Sequence, residues 1–215
     1  METVARLYGT RRIHGAVTRP YWEDVDEMSS AAKRPEQPRI GLLIKAAMFA
    51  AATAALAYVA FPVPFSPVPV TGQSFGAMIA GLLLPPRAAM GSQLAYLLAG
   101  AMGLPVYAGG RAGIGVLFGP TGGYLWGLVA GSYITSVMIE SGTPHARIPT
   151  TLSCIAASVV GGVVVVYALG VVQLALTARL GWLQALVAGA LPYLPGDAVK
   201  AFVAGIAGAR LMRYR

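Results

Sequence analysis

The chain alternates between long apolar segments and short breaks rich in proline, glycine or charge. This pattern predicts helices over residues 40–61, 70–84, 88–104, 122–139, 150–178 and 195–212. A helix needs about 20 apolar residues to cross a bilayer core of about 30 Å, so these segments predict membrane spans. Segment 70–84 covers only about 22 Å at about 1.5 Å per residue. We expect its beginning and the loop before it to lie below the membrane surface.

The segment between the last two spans, residues 179–194, combines apolar residues with Trp182 and Tyr193. Aromatic residues concentrate at membrane–water interfaces, which favours an interfacial segment here. Its apolar part could alternatively form a seventh span. The predicted fold class is an all-α integral membrane protein, a bundle of six transmembrane helices.

Composition supports this class. Of the 215 residues, 56% are hydrophobic and only 11% are charged, whereas soluble domains hold about 25% charged residues. The net charge of +8 could suit nucleic acid, but the basic residues flank apolar spans, so we expect membrane lipid and no nucleic acid as a partner. A single cysteine, Cys154, excludes an internal disulfide.

Residues 1–39 differ from the rest because they hold seven Lys or Arg and six Asp or Glu without an apolar run. They are predicted to form a disordered cytoplasmic extension, neither a signal peptide nor a span. Met28 begins a sequence that resembles an ordinary translation start. Our hypothesis is that residues 1–27 are dispensable or belong to an over-long gene prediction, and that residues 40–215 form the ligand-binding membrane domain.

The distribution of basic residues predicts the orientation in the cell membrane. With the amino terminus in the cytoplasm, six spans return the carboxyl terminus there, and thirteen of the sixteen Lys and Arg residues lie on the cytoplasmic side. Arg111 and Arg179 lie outside, and Lys200 lies within a helix. Both termini are therefore expected in the cytoplasm.

Asp197 and Lys200 are the most informative pair of charges. Between residues 40 and 209 the only other carboxylate is Glu140, in a polar loop. A charge at the centre of a membrane helix costs about 2.5–3.5 kcal/mol or more, so such residues mark functional sites. Residues three apart share a helix face, so the two side chains can meet one ligand. The alternatives are helix capping for Asp197 and snorkelling to the interface for Lys200.

Further candidates lie in the same outer region or in apolar helices. The loop over residues 62–72 is stiffened by prolines, and the loop over 105–123 is rich in glycines that admit close approach of a ligand. The candidate ligand contacts beyond the charge pair are Arg111, Tyr124, Gln73, Gln93, Tyr96 and Tyr107. The polar groups could instead bond neighbouring helices, the tyrosines could form an interfacial belt, and Arg111 could contact headgroups.

The formal charges of Asp197, Lys200 and Arg111 sum to +1, which complements a small monoanion. Carboxylates accept hydrogen bonds, whereas Lys and Arg donate them. The set therefore suits a partly apolar molecule with an N–H-rich head and an acidic tail.

Sequence motifs of enzymes are missing from the chain. It has no phosphate-binding Gly-x-x-x-x-Gly-Lys-Ser/Thr loop and no Gly-x-Ser-x-Gly elbow, so neither ATP hydrolysis nor serine catalysis is expected. His14 and His145 lie in polar segments, which makes an intramembrane metal site improbable. We expect no enzyme activity, no cofactor and no metal.

Small residues recur every four positions in several helices, most densely in the first. Such rows let helices approach closely, within one bundle or against another membrane protein. The candidate docking positions for a partner are Ala46, Ala47, Ala50 and Ala51.

Four motifs together resemble a known family. They are Pro-Val-Thr-Gly-Gln-Ser-Phe (69–75), Gly-Leu-Pro-Val-Tyr-Ala-Gly-Gly (103–110), Gly-Pro-Thr-Gly-Gly-Tyr-Leu (119–125) and Tyr-Leu-Pro-Gly-Asp-Ala-Val-Lys (193–200). In this order they resemble the BioY family, the biotin-specific substrate-binding (S) components of energy-coupling factor (ECF) transporters. The resemblance covers about residues 40–212. It implies a six-helix bundle that binds biotin at its outer side.

The resemblance also implies roles and partners. Asp197 would accept from the ureido nitrogens of biotin, and Lys200, with Arg111, would pair with the valerate carboxylate. The alanine rows of the first helix would dock a transmembrane coupling (T) protein, which works with ABC-type ATPases. Whether the chain works alone, as a homo-oligomer or only with an ATPase module stays open.

Three alternatives remain from the sequence. The chain could be an S component for another small vitamin, an intramembrane enzyme acting on a lipid or acyl group, or a structural membrane subunit. Ligand competition, turnover without partners and tolerance of Asp197→Asn distinguish them.

Overall fold

The structure, a computed structural model, describes residues 39–63, 68–141 and 149–213. The predictions for the amino-terminal extension, including those for Met28, lie outside the described residues. Residues Leu42–Arg215 form one compact unit of the chain.

Helices make up most of the described chain. They are α1 (Arg39–Ala57), α2 (Gln73–Leu83), α3 (Pro86–Ala101), α4 (Gly115–Phe118), α5 (Gly122–Ser141), α6 (Thr151–Val159), α7 (Val166–Ala178), α8 (Trp182–Gly189) and α9 (Leu194–Arg213). A short 3₁₀ turn covers Ala108–Gly110, and two short strands, β1 (Ala60–Phe61) and β2 (Val70–Thr71), pair antiparallel.

The predicted six spans correspond to α1, α2, α3, α5, the continuous helix Thr151–Ala178 and α9. Among the described residues, two helices are long and apolar enough to cross a membrane by length and composition: Ile40–Ala57, with a mean hydropathy of 1.9, and Thr151–Ala178, with 2.4. Helix α8 has 8 residues and extends only about 12 Å, too short for a seventh span.

The predicted span over residues 70–84 starts three residues late. Val70 and Thr71 pair with Phe61 and Ala60 as a strand, so α2 begins only at Gln73. Gly72 lies so close to α1 that a Cβ there would sit 2.7 Å from the Leu56 carbonyl oxygen. The prolines and the paired strands therefore give this segment an extended entry into a short helix.

Helix α5 lies at the centre of the bundle, packed against α2, α3 and α7. Its glycine row faces the neighbouring backbone, since a Cβ on Gly127 would lie 2.7 Å from Val166 Cα and one on Gly131 would lie 2.3 Å from Gly161 O. Small residues at this spacing let the two helices meet at backbone distance. The row therefore serves packing inside this bundle.

A π-helical segment, Val160–Val165, joins α6 to α7. Thr135 of α5 donates to the Ala157 carbonyl oxygen at 3.2 Å, just before this segment. A π turn adds a residue to the helix, which rotates the side chains after it by about 100° relative to an unbroken α-helix. The segment thus determines which way Tyr167, two residues beyond it, faces.

The order of the helices brings several ends together. Helices α1, α3 and α7 end, and α2, α5 and α9 begin, at the same end of the bundle, because each of the six spans runs opposite to the span before it. The strand pair and the loop between α3 and α5 lie at this end. Arg87, Arg210 and Arg213 are at the opposite end of their helices.

Candidate ligand-binding cavity

A cavity lies where these ends meet. It is bounded by residues 68–74, the loop between α3 and α5, the first half of α5, Tyr167, Tyr193 and the start of α9. Its volume is about 640 Å³, including the part that opens outward. Small-molecule sites are mostly apolar with a few placed polar groups, which describes the lining of this cavity.

Asp197 and Lys200 form an ion pair in its wall, with Lys200 Nζ 2.7 Å from Asp197 Oδ1. Asp197 is in the first turn of α9, so one helical turn separates the two side chains. A carboxylate in the first turn of a helix is stabilised by about 0.3–1 kcal/mol. Helix capping and ion pairing therefore act together on a residue that is only 6% exposed.

Two further side chains donate to the Asp197 carboxylate. Ser74 Oγ, at the start of α2, donates to Oδ1 at 2.9 Å. The Tyr167 hydroxyl, on α7, donates to Oδ2. The carboxylate is thus held by three helices at once, α2, α7 and α9.

Lys200 uses all three of its N–H donors inside the protein. Besides Asp197, it donates to the Thr71 carbonyl oxygen at 2.5 Å and to Ser74 Oγ at 3.3 Å. Because an ammonium has only three donors, a new acceptor on Lys200 must replace one of these contacts. Lys200 therefore joins strand β2 to α9.

Arg111 lies on the other side of the cavity, in a tight turn. Gly109 and Gly110 have φ values of 67° and 77°, which favour glycine, and they reverse the chain so that Arg111 pairs with Tyr107 in a β-bridge. The Arg111 Nε donates to the Ala108 carbonyl oxygen at 3.2 Å. Among the described residues it forms no ion pair, so most of its five N–H donors remain available.

Tyr107 is fully buried in the same part of the wall. Its hydroxyl donates to the Leu97 carbonyl oxygen at 2.6 Å, and burial raises the pKa of the Tyr107 phenol. Gly100 lies directly against the ring, since a Cβ there would sit 2.3 Å from Tyr107 Cζ. Tyr107 thus offers the cavity a rigid aromatic surface rather than a hydroxyl.

Gln73 lines the cavity with its amide held on both sides. Its Nε2 donates to the Tyr96 hydroxyl at 2.5 Å, and its Oε1 accepts from Thr71 Oγ1 at 3.1 Å. Tyr96 in turn donates to the Val106 carbonyl oxygen at 3.1 Å. One hydrogen of the Gln73 amide stays available for a ligand.

Gln93 and Tyr96, both predicted as ligand contacts, lie outside the cavity wall. Tyr96 sits behind Gln73, as its hydrogen bond shows. Gln93 bonds Thr53 of α1 at 3.2 Å and is fully buried between helices. The sequence alternative, that such polar groups bond neighbouring helices, describes both residues in this structure.

Tyr124 and Tyr193 line the cavity on its outer side. The Tyr124 hydroxyl donates to the Gly189 carbonyl oxygen at 2.8 Å, which ties α5 to α8. The Tyr193 hydroxyl donates to the Val68 carbonyl oxygen at 2.5 Å, which ties the segment before α9 to the stretch before β2. Both rings thus face the cavity while their hydroxyls brace its frame.

Of the eight side chains predicted to contact ligand, six line the cavity: Gln73, Tyr107, Arg111, Tyr124, Asp197 and Lys200. The sequence analysis did not select Ser74 or Tyr167, which hold Asp197. Within the described part of the chain, no three His, Cys, Asp or Glu residues come close enough to hold a metal ion.

The four candidate docking alanines divide between two faces of α1. Ala46 and Ala50 are half-buried and pack on the bundle, Ala46 against the cluster that includes Ala80 and Ala89, and Ala50 against the cluster that includes Tyr96. Ala47 and Ala51 are exposed, and Ala55 continues their row. Only the second face is open to another protein.

Comparisons with known proteins agree on one family. The BioY family matches residues 28–215. A biotin transporter BioY from Rhizobium etli is 39% identical over 173 residues, which cover 79% of this chain and 92% of the relative. Another from Rhodobacter capsulatus is 37% identical over 178 residues, covering 78% and 91%.

A solved structure shows the same fold. It is described as the S-component for biotin from an ECF-type ABC transporter, and it matches with a TM-score of 0.74 at 27% identity. The match covers 85% of this chain and 95% of that structure's chain. Sequence and fold agree, and the chain belongs to the BioY family.

Proposed function

We propose that this chain captures biotin in the cavity and serves as the substrate-binding component of an ECF-type transporter. The observation that carries the proposal is the buried Asp197–Lys200 pair in the cavity wall. Charged residues within membrane helices are costly and mark functional sites, so this pair in the wall of a cavity indicates ligand recognition. We infer that the ligand is biotin because the relatives are named biotin transporters.

The head of biotin suits the Asp197 end of the cavity. Its ureido ring carries two N–H donors and one carbonyl acceptor. Asp197 accepts from an N–H, and the free amide hydrogen of Gln73 can donate to the carbonyl. The apolar rings and alkyl chain then lie against Leu125, Leu128 and Val166, which line the same cavity.

The carboxylate of biotin is best assigned to Arg111. From the sequence we expected Lys200 to pair with it, assisted by Arg111. All three donors of Lys200 are occupied by Asp197, Ser74 and Thr71, whereas the Arg111 guanidinium has one acceptor, Ala108. A guanidinium also matches a carboxylate with two parallel hydrogen bonds.

For the partner we propose a transmembrane coupling protein, with ABC-type ATPases, docked on the exposed face of α1. Ala47, Ala51 and Ala55 form a row of small side chains on this face. Rows of small residues allow close approach of a second membrane helix. In cells carrying the partner genes, Ala51→Phe should reduce co-purification of the coupling protein, whereas Leu152→Phe, on another exposed surface, should not.

We further propose the cell membrane as the location, with both termini in the cytoplasm and the cavity facing outward. The support is the asymmetry of basic residues, since Arg87, Arg210 and Arg213 lie at the helix ends away from the cavity. Cysteine labelling from outside intact cells at Ala112 and at Arg213 tests this. Labelling at residue 213 but not at residue 112 would indicate the opposite orientation in the membrane.

The first test of the function is equilibrium binding of biotin to the purified chain in detergent. Saturable binding of one biotin per chain, with competition by biotin but not by thiamine or riboflavin, is the expected result. If well-folded protein does not bind biotin but binds another vitamin, the proposed ligand is wrong and the fold serves that other vitamin.

A further inference from the structure

The Asp197 carboxylate has almost no free acceptor capacity in the wall of the cavity. An ionised carboxylate offers about four acceptor positions. Ser74 and Lys200 occupy two on Oδ1, and Tyr167 occupies one on Oδ2. One position, on Oδ2 beside Tyr167, is left for a ligand.

Tyr167 is placed for this contact by the backbone. The π-helical segment Val160–Val165 ends just before it and turns the following side chains by about 100°. Gly161 packs against α5 so closely that a Cβ there would lie 2.0 Å from Thr135 Oγ1. The rotation of α7 is therefore fixed by packing, and Tyr167 cannot drift from Asp197 without moving two helices.

The Tyr167 ring also has little freedom of its own. It packs against four of the five hydrophobic clusters of the bundle. It meets Tyr124 edge-to-face, with ring centroids 6.4 Å apart. Its hydroxyl therefore points at Oδ2 from a stationary ring.

We propose that Tyr167 is a positioning residue for ligand recognition: its hydroxyl fixes the Asp197 carboxylate so that one Oδ2 position faces a ligand N–H. This inference rests on the proposed function. Without the hydroxyl, Ser74 and Lys200 still hold Oδ1, but Oδ2 can shift from its place or recruit water. The ligand then has to order the carboxylate when it binds, and affinity falls.

The test compares Tyr167→Phe with Tyr133→Phe, both full-length and purified in detergent. Tyr133 is an exposed tyrosine of α5 away from the cavity, so its variant is a matched control. We expect Tyr167→Phe to bind biotin about tenfold more weakly, as for loss of a hydrogen bond to a charged group, and Tyr133→Phe to stay within about twofold.

A second ligand separates positioning from packing. Biotin methylated on both ureido nitrogens offers no N–H to Asp197, so its weak binding should be the same in Tyr167→Phe and in the unaltered chain. An equal loss of affinity for both ligands, or unchanged biotin binding by Tyr167→Phe, overturns the inference and leaves the proposed function standing. Failure of the unaltered, folded chain to bind biotin overturns both.

A third variant covers the case in which Tyr167→Phe does not fold. Replacing Tyr167 by 4-aminophenylalanine keeps the ring and places a weaker donor where the hydroxyl was. We expect this variant to retain most of the biotin affinity of the unaltered chain. The infrared band of the Asp197 carboxylate, identified by its loss in Asp197→Asn, should shift in this variant. An unmoved band would contradict a direct role of the residue at 167.

Discussion

The two polar ends of the cavity are built on opposite principles. At one end Asp197 and Lys200 are joined to each other and to Ser74, Thr71 and Tyr167, so nearly every donor and acceptor is occupied. At the other end Arg111 stands on an exposed glycine turn with one backbone acceptor. The first end is fixed before a ligand arrives, and the second keeps its donors available.

This difference teaches how selectivity can be divided within one site. Buried groups whose partners are already in place reject a ligand that cannot replace a lost contact, because an unpaired buried group is costly. An exposed cation instead adds attraction that water and salt weaken. We therefore assign discrimination to the buried end and general attraction for an acid to the exposed end.

Breaking the buried end should have the largest effect. Asp197→Asn leaves Lys200 without its counter-charge and puts an N–H group beside donors. Loss of one member of a buried pair costs about 2–5 kcal/mol, so biotin affinity should fall by at least roughly 30-fold. Isothermal titration of the purified variant measures this.

Glu140→Gln is the matched control for that experiment. It makes the same chemical change at the far end of α5, on an exposed residue outside the cavity. Its affinity for biotin should be unchanged. If Asp197→Asn and the unaltered chain bind biotin with equal affinity, Asp197 does not contact the ligand.

Breaking the exposed end should have an intermediate effect. Arg111→Gln removes a partly solvated ion pair with the ligand carboxylate, worth about 1 kcal/mol, which is roughly a fivefold loss. The unaltered chain should also prefer biotin to biotin amide, and Arg111→Gln should lose that preference. Competition binding with both ligands gives the comparison.

Arg179→Gln serves as the control, because Arg179 is an exposed basic residue that does not line the cavity. It should keep both the affinity and the preference for the acid. If Arg111→Gln still prefers biotin to biotin amide, the ligand carboxylate does not pair with Arg111, and Lys200 becomes its assigned partner.

The smallest effect is expected from trimming one redundant donor at the buried end. Ser74→Ala removes one of three hydrogen bonds to Asp197 while Lys200 and Tyr167 remain. A net cost of about 0.5–1 kcal/mol, a two- to fivefold loss of biotin affinity, should result. Ser158→Ala, at a buried hydroxyl without a hydrogen-bond partner in the described structure, should leave binding intact. A Ser74→Ala loss as large as that of Asp197→Asn would mean that the three donors are not redundant.

The sequence predicted the helices well because apolar length is a strong signal. The span over residues 122–139 appears as Gly122–Ser141, and that over 195–212 as Leu194–Arg213. The start of α2 was predicted too early, since a two-residue strand is too short to show alternation and depends on pairing with an earlier strand, β1. The π-helical segment Val160–Val165 is as apolar as the helix on either side of it, so the sequence does not distinguish it.

The candidate site was predictable where charge was the signal. Asp197, Lys200 and Arg111 stand out in an apolar chain, and all three line the cavity. Tyr167 and Ser74 could not be selected, because an aromatic and a small hydroxyl residue are ordinary in membrane helices and their partner lies on another helix. Gln93 was predicted for its polarity, yet its Nε2 bonds Thr53 of α1, and its buried Oε1 has no hydrogen-bond partner in the described structure.

The excess positive charge of the cavity wall links it to the membrane voltage. Asp197, Lys200 and Arg111 carry a formal +1 when the cavity is empty, and a bound monoanion brings the total to zero. An electric field does work of about 2.3 kcal/mol per unit charge moved through 100 mV. In the orientation proposed above, an inside-negative potential therefore pulls the positively charged wall of the empty cavity toward the cytoplasm, and a bound monoanion cancels this pull.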